Sequence, residues 1–153
     1  MPVRFSLDSN VLVYAADDRD PARQGSALDI ITRAAQCDCV LTPQALSEFF
    51  HAVTRKGIMP RMEAAEQVRD WITTFTVTPG ATAASVLTAA QASAAGRFQF
   101  YDALLLATAR DAGCSACISE DMADGAALDG VRVVTAFGGH GVIGADAVAL
   151  LGG

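Results

Sequence analysis

The feature that most constrains the fold of this chain is a repeated change of hydrophobic period. Short apolar runs recur at 3–8, 39–43, 75–80, 114–119 and 131–135, each with the length and β-branched content of a buried strand. Between them lie longer segments at helical spacing. Residues 21–35 place Ala27, Ile30, Ile31 and Ala34 on one face, with Pro21 at the favoured first helical position. Residues 44–55 carry Leu46, Phe49, Phe50 and Val53, and Gly57 closes that helix. A helix from Pro60 carries Met62, Ala65, Val68, Trp71 and Ile72, and 81–96 and 101–112 are helical in pattern as well. Strands alternating with helices predict an α/β fold whose mostly parallel central sheet is covered on both faces. Residues 138–153 differ in character and form a tail with room for a short helix packed on the domain.

The length of 153 residues suits one domain with a real core. No apolar run approaches the roughly 18 residues of a spanning helix, so no membrane partner is expected. "MPVRFSLDSN" enters a strand pattern without a signal-peptide h-region, an expectation of the cytoplasm. Cys37, Cys39, Cys114 and Cys117 make a C-x-C and a C-x-x-C, but most of them lie in or beside apolar runs, which favours packing over metal or redox use. The net charge of −6 excludes a broadly basic surface for duplex DNA. It does not exclude a nuclease, because divalent cations invert the local sign of a carboxylate site. All cationic residues but Lys56 are arginines, suited to bidentate phosphate contact.

Carboxylates stand where burial makes them costly. Asp8 ends the first strand, Glu120 and Asp121 follow a later one, and Asp102 opens the apolar helix that leads into it. Ligands of open parallel sheets gather beyond the carboxyl ends of the strands, so these acids converge on one rim. Each has an ordinary structural alternative: Asp102 as a helix cap, Asp8 as an Asx-turn residue, Asp121 or Asp124 as a loop acid. Together they are harder to explain that way. Two carboxylates about 5 Å apart at an effective dielectric near 20 repel by roughly 3 kcal/mol. A cation is expected there, and oxygen-only ligands favour Mg²⁺ or Mn²⁺ over zinc. Glu48 shares a helix face with Gln44, His51 and Arg55, either a solvated face or the wall of a groove with Arg55 turned to phosphate. "GHGVIG" (139–144) matches a dinucleotide-binding pattern but leaves too little chain after it. His51 and His140 complete no nucleophilic triad.

Four stretches in order, "FSLDSNVLVYA" (5–15), "TPQALSEFFHAVTRK" (42–56), "FYDALLLATARDAGC" (100–114) and "ISEDMADGAALDGVRVVTAF" (118–137), resemble the motifs of PIN-domain ribonucleases, most of all the VapC-like toxins of toxin-antitoxin pairs. The resemblance implies a three-layer α/β/α domain over 1–137. It implies Asp8, Glu48, Asp102 and Asp121 as catalytic acids holding one or two Mg²⁺ or Mn²⁺ ions, and it turns the Glu48 face into a groove wall. Asn10, Ser119 and Arg55 are the matching candidates for substrate contact. Asp124 competes with Asp121 for the fourth acid, and Ser9 replaces the commoner threonine. The implied activity is metal-dependent hydrolysis of RNA phosphodiesters, with a cognate antitoxin and a homodimer as partners. Two other readings stand beside it: a PIN-like module that binds RNA or protein without cutting, and a phosphoacceptor receiver domain, which lacks its late-strand lysine because Lys56 sits on an early helix.

Overall fold

A computed structural model describes residues 3–153; Met1 and Pro2, with which the expected domain begins, lie outside the described residues. The chain runs β1 (Phe5–Leu7), α1 (Ser9–Ala16), α2 (Pro21–Ala34), β2 (Cys39–Leu41), α3 (Pro43–Arg55), α4 (Arg61–Thr74), β3 (Thr76–Val77), α5 (Ala83–Ala94), α6 (Phe100–Asp111), β4 (Ala116–Ser119), β5 (Ala127–Leu128), β6 (Val131–Thr135) and α7 (Ala145–Leu150), with a short 3₁₀ turn at Gly139–Gly141. The sheet order is β3-β2-β1-β4-β6-β5, parallel except for the β5–β6 pair. The sheet is the middle layer of an α/β/α domain, as the alternating periods predict.

The central strands β1, β2 and β4 are buried along their whole length, which is why they read as continuous apolar runs rather than alternating ones. Phe5, Leu7, Val40, Leu41 and Ile118 fill the core from the sheet, and Phe49, Leu105 and Leu106 close it from the helices. Phe49 meets Trp71 edge to face at 4.6 Å between centroids, joining α3 to α4. Cys39, Cys114 and Cys117 are part of this core. Burial pushes all three thiols up, Cys114 to about 11, so they are un-ionised packing residues at neutral pH.

Two elements differ from the sequence expectation. The apolar residues after Asp8 form helix α1, because Asp8 caps it by accepting the Ser9 N–H at 2.7 Å and Val11 and Leu12 are then buried at helical spacing. β5 was not anticipated; Asp129 and Gly130, with φ of 49° and 85°, make the two-residue turn that folds it against β6. The tail closes back on the domain. Gly138 and Val142 pair around the 3₁₀ turn, Ser26 donates its hydroxyl to the Gly141 carbonyl at 2.6 Å, and α7 lies against β6.

Strand order places the functional rim. From β1 the chain moves outward to β2 and β3, whereas β4 lies on the other side of β1, so the carboxyl ends of β1 and β4 flank a point where the connections diverge. Such a point opens a crevice at the strand ends.

Candidate functional site

Asp8 follows β1 at that crevice and is only 5% exposed. Ser119, the last residue of β4, is fully buried and donates its hydroxyl to Asp8 Oδ2 at 2.8 Å. Asn10, in the first turn of α1, is the hub. Its amide nitrogen donates to Asp121 Oδ1 at 2.8 Å and to Asp8 Oδ2 at 3.3 Å, while its carbonyl oxygen accepts the Glu120 backbone N–H at 3.1 Å. The loops after β1 and β4 are therefore stitched together by one side chain.

Glu48 approaches from the second turn of α3, where Gln44 donates to it at 3.2 Å and also to the Tyr101 carbonyl at 2.8 Å. That second bond fixes α3 against the start of α6. Asp102 sits half-buried in the first turn of α6, but the residue at the cap is Gln99 and no side-chain cap bond is made there. The carboxylate of Asp102 therefore stands at the positive end of the helix without serving as its cap.

The acids feel one another. Asp8 is pushed up from the ordinary 3.8 to about 6, chiefly by burial and further by the charges of Asp121 and Asp102, against the lowering effect of the Ser119 and Ser9 bonds. Glu48 is raised by burial and by Asp102 and Asp121, partly offset by Gln44. Asp102 is raised by burial and by Asp121. The ion pairs among the described residues join Arg4 to Asp38, Arg19 to Asp17, Arg23 to Asp20, Arg33 to Asp29, Arg110 to Asp129 and Arg132 to Asp146; none reaches the four acids of the rim.

This unneutralised all-oxygen set suits a hard divalent cation in charge and donor type. It is not a preformed cage: among the described residues no three His, Cys, Asp or Glu side chains are close enough to hold one ion as they stand. Asp8 and Asp121 are joined through the Asn10 amide rather than by direct approach.

The two loop acids have different partners. Asp121 accepts from Asn10 and lies 3.3 Å from the Ser119 hydroxyl oxygen, whereas Asp124 accepts the Thr135 N–H at 3.0 Å and ties its loop to β6. Two of the candidates for substrate contact stand outside the open cleft. Ser119 is fully buried with its hydroxyl directed to Asp8, and it holds that carboxylate. Arg55 is exposed at the end of α3 and does not line the cleft beside the acids; Ala52 and Lys56 do, since the winding of the helix turns those positions toward α1. The roles of Asn10 as a bridge and Gln44 as a brace went unread, for neither residue type nor spacing signals a hydrogen bond made across 111 and 57 positions of chain.

The chain is similar to known proteins over most of its length. A family model described as "PIN domain" matches residues 6–123. No curated protein matches the sequence. Among solved structures, VapC20 of Mycobacterium tuberculosis, described as a sarcin-ricin loop cleaving toxin, superposes with a TM-score of 0.57 at 19% identity, covering 74% of this chain and 86% of that one. VapBC2 of Rickettsia felis, bound to a DNA fragment from its promoter, gives 0.63 at 11% identity, and DNA-bound VapBC of Salmonella typhimurium gives 0.62 at 13%; each match covers 87% of this chain and 98% of the other. At these identities the likeness is one of fold.

Proposed function

The chain belongs to the PIN-domain family, and from that premise we propose that it is a metal-dependent endoribonuclease, the toxin of a toxin-antitoxin pair. The observation that carries the reading is the group of four carboxylates at one rim, Asp8 buried, Glu48 and Asp102 half-buried and Asp121 at the open edge, none of them in an ion pair among the described residues. Three of them are pushed toward their neutral forms, a cost that a structural role does not require and a bound divalent ion removes.

Asp8, Asp102 and Asp121 would hold Mg²⁺ or Mn²⁺, with Glu48 direct or through water. The chemistry such an ion supplies when bound is Lewis-acid activation of water and of the phosphodiester. The protein's own residues do the rest. Ser119 and the Ser9 N–H fix the two oxygens of Asp8. Asn10 keeps Asp121 in register with Asp8 across the crevice. Gln44 holds Glu48 while bracing α3 on α6. The exposed cations Arg55 and Lys56, at the end of the helix that carries Glu48, are the candidates for phosphate contact.

Partners follow from the same reading. The substrate is RNA; a cognate antitoxin covers the acids, and a homodimer is the expected assembly, in a cytoplasmic setting. The similarity of fold to VapC20 and to the two VapBC structures supports this choice. No helix among the described residues is long and apolar enough to cross a membrane.

The test is cleavage of labelled RNA by the purified chain in Mg²⁺ or Mn²⁺. Asp8→Asn and Asp102→Asn are each expected to lower the rate at least about a hundredfold while the far-ultraviolet circular dichroism stays unchanged. Full cleavage by these variants, or in EDTA, would overturn the proposal. Absence of cleavage together with absence of Mn²⁺ heat in calorimetry would favour a module that binds without cutting.

A further inference from the structure

Beside the acids, between α1 and α3, the surface opens into a cleft of about 420 Å³, a volume within the range of small-ligand sites. Asn10 and Asp121 form its inner end, so it is continuous with the crevice of the acids. Tyr14, Glu120, Lys56 and Arg19 line the rest. Arg19 is already engaged: its Nε and Nη2 each donate to the carboxylate of Asp17 at 2.8 Å. Lys56, the chain's single lysine, forms no ion pair among the described residues and adds its positive charge to the cleft, where Asp17 feels it.

The opposite wall is packed. The ring of Tyr14 meets Phe137 edge-on at 5.3 Å and 83°, and the Arg23 guanidinium lies 5.7 Å from its centroid, itself held by Asp20 at 3.1 Å. Glu120 lines the cleft beside Tyr14, and its backbone N–H is held by the Asn10 carbonyl oxygen. A packed aromatic wall, a carboxylate at its edge and an ammonium opposite are the parts needed to receive one unstacked nucleotide.

We propose that this cleft is the subsite for a nucleotide next to the scissile phosphate and that its base is guanine. Lys56 meets the backbone phosphate, Tyr14 supports the base, and Glu120 accepts its N1–H and N2–H. The base follows from chemistry. An ionised carboxylate only accepts, and it has two oxygens. Guanine alone among the RNA bases presents two adjacent N–H donors on its Watson–Crick edge. Adenine and cytosine set a ring-nitrogen acceptor beside the amino group, and uracil flanks its single N–H with carbonyls, so each would face the carboxylate with a repelling lone pair. The inference rests on the ribonuclease reading, which supplies RNA as the ligand.

The experiment is fluorescence anisotropy with short oligouridines carrying one central G, A, C or U, measured in Ca²⁺ over a series of salt concentrations. Wild-type protein should bind the G-containing strand about fivefold or more tighter than the others, the discrimination a bidentate contact gives. Glu120→Gln should bring the strands within about twofold of one another, because the amide nitrogen replaces an acceptor with a donor. Lys56→Ala should weaken every strand by a similar factor and lower the slope of log affinity against log salt by about one, the mark of a lost phosphate contact. Base-blind binding by the wild type, undiminished discrimination in Glu120→Gln or an unchanged salt slope in folded Lys56→Ala would overturn the assignment. Failure of the chain to cleave any RNA in Mg²⁺ or Mn²⁺ would instead count against the ribonuclease reading, and G-selective binding would survive it.

Discussion

Asp8 has two local duties that pull in opposite directions. As the cap of α1 it gains from being ionised, since it accepts the Ser9 N–H beside the positive end of the helix. As a buried acid among other acids it gains from being neutral, and burial prevails, raising it from 3.8 to about 6. A carboxyl raised in the folded state binds more protons there than in the unfolded chain. Its stabilising effect is thus complete below pH 3.8 and is lost as the pH rises through about 6. With metal removed by chelator, the wild type should lose stability relative to Asp8→Asn across that window, by roughly 3 kcal/mol for a shift near two units. Chemical denaturation of both proteins from pH 3.5 to 7 measures it. A constant difference between them would show that Asp8 is not strained by its surroundings. Asn10 is the complement to this strain, an uncharged donor placed between two carboxylates where a lysine would remove the need for any other cation.

At the scale of elements, the joints matter more than the elements themselves. The last turn of the chain is set by Gly144, where a Cβ would lie 2.6 Å from the Thr135 carbonyl oxygen and 3.2 Å from its methyl group. Backbone oxygen in a strand cannot yield, so Gly144→Ala should cost about 1–3 kcal/mol through overpacking and loosen α7 from β6. Gly80→Ala, with nothing within 4 Å of the added atom, is the matched control, and urea denaturation of both variants separates close packing from backbone effects. Equal stability of the two would remove the argument. Joints were also where the sequence was hardest to read. The change of period disclosed the sheet and its main helices, and the strand-end rule led to Asp8 and Asp121. α1 was hidden because "VLVYAA" is apolar on every side, as suits a helix packed against α2, α3 and β4. β5 was hidden by its two-residue length, although Asp129-Gly130 is a recognised hairpin signal. Glu48 could be placed on a polar face, but not aimed: the direction of α3 depends on Gln44 reaching α6, a contact absent from any local pattern. The same helical winding that brings Lys56 to the cleft leaves Arg55 outside it.

For the whole molecule, the rim acids are a net cost that the remaining core must carry. Divalent metal that binds only the folded chain should therefore stabilise it by mass action, by about 2.7 kcal/mol at a hundred times the dissociation constant. A thermal melt titrated with Mn²⁺ should show a rising midpoint that EDTA reverses, and Asp121→Asn should blunt the rise. A midpoint indifferent to metal would place the site outside metal chemistry. The borders of the sheet carry a different consequence. Its outermost strands, β3 and β5, are two residues long, and the latter turns back on its neighbour. Such stubs expose almost no free ladder for a foreign polypeptide to extend. Whatever docks on this domain, a second copy included, must recognise side chains on its helices and at its acidic mouth, and the chain is spared the edge-to-edge stacking that a longer open border would invite.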